Sequence, residues 1–326
     1  MRGLSRSSIV GQRRTKMLNS LAGAVAARHD FGHSGLLFDE STIIAAESSP
    51  YPAQIGRLAI RSLYREAALA PKPGLVSPES TGSHSDMDFA TFMCSLNALR
   101  SYFPAIADCG GQGPGFGSLQ VLGIDAEAAM LLATAGVNTH RGAIFNLGLL
   151  CAAAGYLVAD GATLSAAVTC ATVRQFWGCE ILAGSAAPAA GATLSHGQFV
   201  ARRYGTGGAR AEAAAGFPAA LELGLPAYRA TLAATGDSER AAIQALFTLM
   251  SELEDTNLLW RGGLDGLTYG RRSAAAFLEA GGVFADDWRA HAAAIDRDFI
   301  ARRLSPGGSA DLLGVTLFLA ALDGLA

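Results

Sequence analysis

Apolar side chains recur at three- and four-residue spacing along most of this 326-residue chain, and alternating runs rich in β-branched residues are almost absent. That is the period of buried helix faces rather than of strands. The pattern predicts helices at about 54–70, 86–104, 124–135, 142–159, 162–176, 211–234, 238–259, 264–280, 285–303 and 308–323. Gly and Pro gather between them, as in "CGGQGPGFGS" and "GSAAPAAGAT". No internal repeat is visible. The fold expected is all-α, one large multi-helix domain over residues 53–326 with buried apolar central helices. A disordered or accessory extension is expected over 1–52.

Helix faces single out polar residues. In "QIGRLAIRSLYREAALA", Arg57, Arg61 and Arg65 form a basic stripe, while Ile55, Ala59, Leu63 and Ala70 form the opposite face. Glu66 falls on that apolar face, where a carboxylate is costly unless paired. A salt bridge to an arginine elsewhere, a metal ligand and a general base are the open readings. If one helix runs through 238–259, Leu246, Met250, Leu253 and Asn257 share a buried line. Gln244, Thr248, Ser251 and Asp255 then form a second line, polar but with a single charge, which suits either a polar cavity or an exposed face.

Two apolar runs, Ala143 to Val158 and Leu312 to Leu325, are shorter than the roughly 20 residues of a membrane span, and Asn146 and Asp323 interrupt them. They read as core helices. Half the residues are hydrophobic, 16% are charged, and the formal net charge is -3. That gives no electrostatic case for nucleic acid. The five cysteines form no CxxC pair, which suits a reduced, cytoplasmic protein and argues against zinc. The basic N-terminus precedes only a short apolar patch, closed by Arg28, His29 and Asp30.

Several loops suit anions. In "GVNTHRGAIF", Asn138 or Thr139 can cap a helix starting near Gly142. Its free N–H groups, with His140 and Arg141, make an anion site, unless the cap serves the helix alone. "SPGGSADLL" places Gly307, Gly308 and Ser309 before a helix, with Asp311 in its first turn, where capping is the plain alternative to a role in the site. "RRYGTGGAR" combines Arg202, Arg203 and Tyr204 with a Gly-rich turn that can nest phosphate. No Walker A motif and no dinucleotide fingerprint occur. Lys72, one of only two lysines against 23 arginines, stands between two prolines. It suits a phosphate, a carboxylate neighbour or simply a turn. In "PESTGSHSDMDF", Ser85 and Asp88 resemble a capping box, leaving His84 and Asp86 free for Mg²⁺ or a substrate hydroxyl.

Six ordered blocks, "EAALAPKPGLV", "GSHSDMDF", "GVNTHRGAIFNLGLLCAAAG", "RRYGTGGARAEAAAGFP", "EDTNLLWRGG" and "LSPGGSADLL", resemble triphosphoribosyl-dephospho-CoA synthases from about residue 54 onward. The version is nearest the malonate decarboxylase type. Trp260 departs from the family block, which favours a His there, and takes no catalytic role. The resemblance implies a cytoplasmic pentosyltransferase that uses ATP and 3′-dephospho-CoA with Mg²⁺ and releases adenine. Its product is destined for an acyl-carrier subunit through a separate transferase. Neither nucleic acid nor a membrane is an expected partner.

Glycosyl transfer through an oxocarbenium-like state needs carboxylates and held phosphates. Glu66, Asp86, Asp88 and Asp255 are therefore assigned base or Mg²⁺ roles. Lys72, His84, Asn138, Thr139, His140, Arg141, His196, Arg202, Arg203, Tyr204, Asn257, Arg261 and Ser309 are assigned to the substrates. A Mg²⁺-dependent N-glycoside hydrolase and a non-catalytic helical subunit that binds CoA or the carrier are the alternatives.

Overall fold

The computed structural model describes residues 50–183 and 196–324. The expected 1–52 extension and the "GSAAPAAGAT" loop fall essentially outside the described residues. Among the described residues all regular structure is helical, as the periodicity predicts. We number the α-helices α1 (Pro50–Ala68), α2 (Phe89–Ala98), α3 (Tyr102–Gly111), α4 (Phe116–Ala133), α5 (Arg141–Ala159), α6 (Ala166–Ala183), α7 (His196–Tyr204), α8 (Gly208–Ala214), α9 (Leu225–Thr235), α10 (Ser238–Glu252), α11 (Thr256–Glu279), α12 (Trp288–Ala301) and α13 (Gly307–Leu322).

The core is built around α5. Its apolar residues are buried nearly all round, and it packs against α1, α3, α4, α6 and α13. Both runs read as core helices are therefore spent inside the protein: α13 is buried almost as completely. The α3–α5 contact depends on small residues. A Cβ on Gly155 would stand 1.9 Å from the Ala107 carbonyl oxygen, and one on Gly110 would stand 2.0 Å from that of Ala152. The wheel drawn for α1 holds, with Ile55, Ala59, Leu63 and Glu66 buried and Arg57 and Arg61 exposed.

Where boundaries differ, Pro and Gly decide. The helix expected at 86–104 is two, α2 and α3. Pro104 cannot continue a helix, but it is tolerated in the first turn of a new one. The 211–234 segment divides into α8, a π turn at Ala219–Gly224 and α9, because Gly216 and Phe217 both take positive φ (83° and 58°) just before Pro218. The 238–259 helix ends at Glu252, and α11 starts at Thr256 and kinks at Gly263 (φ 61°, ψ -156°). The polar line therefore does not reach a cavity: Thr248 and Ser251 hydroxyls donate to carbonyls of their own helix, and Gln244 accepts from the Val283 N–H.

Gly155→Ala should overpack the α3–α5 seam and destabilise the protein by about 1–3 kcal/mol, read as a lower midpoint in urea unfolding.

Candidate active site

One cavity of about 1240 Å³ opens beside the N-terminus of α5. Its walls carry Glu66 and Lys72 from α1 and the loop after it, Asn138 to Gly142 from the α5 mouth, and His196, Arg202 and Arg210 from α7 and α8. Asn257 and Arg261 from α11, and Ser305, Gly307 and Asp311 at the start of α13, complete the polar lining. Its apolar lining includes Ile106, Phe116, Leu119, Ile124, Phe145 and Leu149. The sequence-assigned residues Glu66, Lys72, His84, Asn138, Thr139, His140, Arg141, His196, Arg202, Asn257 and Arg261 thus converge. Asp86, Asp88, Arg203, Tyr204, Asp255 and Ser309 do not line this cavity.

Physical reasons account for those exceptions. Asp88 is the exposed N-cap of α2, in a capping box with Thr91, whose N–H and hydroxyl donate to Oδ1 at 2.8 and 2.7 Å. These bonds hold the Asp88 carboxyl below its ordinary pKa. Asp86 is largely exposed, 3.8 Å from His84 Nδ1. The Arg203 guanidinium donates to its neighbour Tyr204. Asp255 is buried as the N-cap of α11. Its Oδ1 accepts from the N–H groups of Asn257, Leu258 and Gly308 (2.9, 3.3 and 3.3 Å), and its Oδ2 from the N–H and hydroxyl of Ser309 (2.8 and 2.9 Å). Both oxygens are committed to joining two helix starts, which leaves no lone pair free for a metal ion. The four carboxylates assigned to Mg²⁺ do not converge. No cluster of three metal-ligating side chains occurs among the described residues.

Glu66 and Lys72 take the ion-pair reading. Lys72 Nζ lies 2.7 Å from Glu66 Oε1, with both side chains buried, and donates also to the Glu66 and Ala67 carbonyls. The ammonium is thereby engaged by carboxylate and backbone, which displaces the phosphate role assigned to it. Arg141 pairs with Glu127 of α4.

His140 is not a surface cation. It is buried against the edge of Phe92, and its Nδ1 shares a 2.7 Å hydrogen bond with Ser95 Oγ. Burial, then the nearby Lys72 charge, lowers its pKa to about 3, so the ring is neutral. Its Nε2 and the Thr139 hydroxyl are buried and unpartnered. His84 is neutral too: burial and Arg261 lower its pKa, and Asp86 opposes them. Arg261 can only donate, so Nδ1 at 3.1 Å accepts, and Nε2–H points to Ser305 Oγ at 3.1 Å. Arg261 also donates to the Ser83 and Arg303 carbonyls.

Asp311 is a site residue for which the sequence reading left capping as the alternative. The helix starts at Gly307, so Asp311 lies one turn in, beyond any cap. A Cβ at position 142 would stand 1.9 Å from its Oδ2, so the carboxylate lies directly over the first turn of α5 and requires glycine there. Burial, then the charges of Glu66 and Asp255, hold its pKa well above the ordinary carboxylate range.

The family model for ATP:dephospho-CoA triphosphoribosyl transferase matches residues 52–326. The chain belongs to this transferase family. Among relatives of the family, the probable 2-(5''-triphosphoribosyl)-3'-dephosphocoenzyme-A synthase of Acinetobacter calcoaceticus is 44% identical over 271 residues, covering 83% of this chain and 91% of the relative. The 2-(5''-triphosphoribosyl)-3'-dephosphocoenzyme-A synthase of Klebsiella pneumoniae is 42% identical over 268 residues, covering 80% and 88%. No solved structure matches the chain.

In this transferase-family chain, Lys72→Met should leave the Glu66 carboxylate buried and unpaired, at about 3–5 kcal/mol. Adding Glu66→Gln should recover part of that loss, which a double-mutant cycle in urea would measure. Additive losses would show that the pair is not coupled.

Proposed function

We propose that the chain transfers the triphosphoribosyl group of ATP to the 2′-hydroxyl of 3′-dephospho-CoA and releases adenine. The observation that carries this reading is the cavity. At about 1240 Å³ it exceeds the roughly 300–1,000 Å³ typical of a site for one small ligand. Its polar lining supplies cations and hydrogen-bonding groups, and its apolar lining suits the pantetheine arm of dephospho-CoA.

The unengaged positive charge lies on the α7–α8 side. Among the described residues nothing pairs with Arg202, and Arg210 reaches only the Ile181 carbonyl at 3.5 Å. The triphosphate belongs there. Mg²⁺ then enters as part of the MgATP substrate, because magnesium commonly rides on substrate phosphates rather than in a protein cage. The phosphates are retained, so cations serve to hold and orient rather than to cleave.

Two finer parts of the reading rest on the six sequence blocks nearest the malonate decarboxylase type. The product serves as prosthetic-group precursor for that enzyme's acyl-carrier subunit, attached by a separate transferase. Five free cysteines suit a cytoplasmic setting. Mass spectrometry of the malonate decarboxylase carrier, after addition of the product and the companion transferase, tests the destination.

With MgATP, adenine should appear only when dephospho-CoA is present, and dephospho-CoA should gain the mass of a triphosphoribosyl group. Adenine released equally without dephospho-CoA would favour a hydrolase. Arg202→Ala should raise the KM for ATP about tenfold or more, the worth of one charge-assisted hydrogen bond of roughly 1.5–3 kcal/mol. Unchanged KM would remove Arg202 from the phosphate site.

A further inference from the structure

Three carboxylates line the cavity: Glu66, Glu127 and Asp311. Glu66 is bound to Lys72, and Glu127 to Arg141. Asp311 alone has neither an ion pair nor a hydrogen bond among the described residues. It stands over the first turn of α5. The buried Nε2 of His140 and hydroxyl of Thr139, in the same wall, also lack partners. Buried polar atoms without partners are uncommon in folded proteins and call for an explanation, and in a cavity wall a catalytic or ligand-binding role is one. Position 142 admits no side chain between Asp311 and this helix mouth.

We propose that Asp311 is the catalytic base of the transfer, facing the 2′-hydroxyl of dephospho-CoA, and that His140 and Thr139 hydrogen-bond the reacting sugar. The proposal rests on the transferase reading above. The C1′–N9 bond of ATP breaks and adenine leaves with its electron pair. The C1′–O2′ bond forms, and the hydroxyl proton passes to an Asp311 oxygen. Adenine takes one proton from solvent, and Asp311 returns its own to solvent after product leaves, so the proton balance closes. His140 moves no proton in this scheme. A neutral ring beside Lys72 is a poor base, but its Nε2 can fix a hydroxyl by hydrogen bonding.

The environment suits the task. A base must be unpaired, and its affinity for protons must lie nearer the working pH than that of an ordinary aspartate. Burial and the charges of Glu66 and Asp255 raise the Asp311 pKa in that direction. The same shift has a sign for stability. Below the ordinary carboxylate pKa, Asp311 is protonated in folded and unfolded chains alike and costs nothing. As the pH rises from the ordinary carboxylate value to the elevated folded one, the cost of ionising Asp311 in the folded chain accumulates, and above the folded value it levels off.

The test uses the full chain with MgATP and dephospho-CoA. In Asp311→Asn, kcat should fall at least about 100-fold, the scale of acid–base catalysis, while both KM values stay within about threefold. The wild-type pH–rate profile should show an acidic limb above the ordinary carboxylate range, and the residual rate of the variant should lack it. The Tm of Asp311→Asn should equal or exceed that of wild type at pH 8, with the difference vanishing in acid. Gly142→Ala keeps the carboxylate but displaces it, so its kcat should fall at least about tenfold with far-UV circular dichroism unchanged. If wild type releases no adenine, the transferase reading and the base role fall together. If wild type is active and Asp311→Asn keeps more than about a third of its kcat, or loses only KM, the base role alone is overturned.

Discussion

Asp255 accepts hydrogen bonds from the first turns of α11 and α13 at once, and the shape of the cavity follows from that junction. A helix start exposes N–H groups that its own carbonyls cannot satisfy. Two such starts meet here at the cavity wall, around the buried Asp255. One ionisable side chain with two oxygens meets the demand of both. Because α11 begins there, Asn257 and Arg261 follow on one wall; because α13 begins there, Gly307 and Asp311 follow on the next. The carboxylate first assigned to chemistry is the one that builds the frame.

Three acidic groups, Glu66, Asp255 and Asp311, are close enough to feel one another. Burying that much like charge is costly, and the fold relieves it unevenly. Lys72 pairs with Glu66, and helix N–H groups with the Ser309 hydroxyl offset part of the burial cost of Asp255, whose pKa burial still raises. Asp311 receives nothing comparable. His140 beside it is held neutral by burial and Lys72, so no imidazolium screens it. The electrostatic strain is therefore greatest on Asp311, the one cavity-lining carboxylate with no partner among the described residues, the distribution expected where function sets the local environment rather than stability.

Periodicity made the helices legible, because burying one face of each imposes the 3.6-residue repeat. It identified the α1 face that buries Glu66 and the two core runs, α5 and α13. It failed where backbone chemistry overrides periodicity: at Pro104, at Gly216 to Pro218, and at the break after Glu252. That last break misled the site reading as well, since a continuous helix puts Asp255 on a polar line while a new helix makes it a cap. The helix mouths were visible as loops rich in Gly and capping residues, so most of the polar and charged residues lining the cavity were among those singled out, while its apolar lining was not. What they face was not, because pairing is tertiary. Nothing near Lys72 in sequence says that Glu66 is its partner, nor does "SPGGSADLL" say that Asp311 reaches Gly142. The usable signal was offset: counted from Gly307, Asp311 is too deep in its helix to cap it.

The "GVNTHRG" stretch, expected to receive a ligand anion, has a side chain of the protein over it. The dipole and free N–H groups of the first turn of α5 favour negative charge. The group that lies over it is the protein's own Asp311, which accepts no hydrogen bond from those N–H groups among the described residues and whose pKa is raised. Arg141, expected to face a ligand phosphate, is engaged by Glu127 instead. Arg202 and Arg210, on α7 and α8 rather than at the α5 mouth, are cavity-lining cations without a carboxylate partner among the described residues. This separation has a chemical consequence. A triphosphate beside Asp311 would raise the cost of that charge further and compete for the same helix end. A triphosphate held on the α7–α8 side leaves the α5 mouth to the sugar. The carboxylate and the phosphates can then act on one substrate without repelling each other at short range, since interaction between like charges falls with distance even in a low-dielectric site.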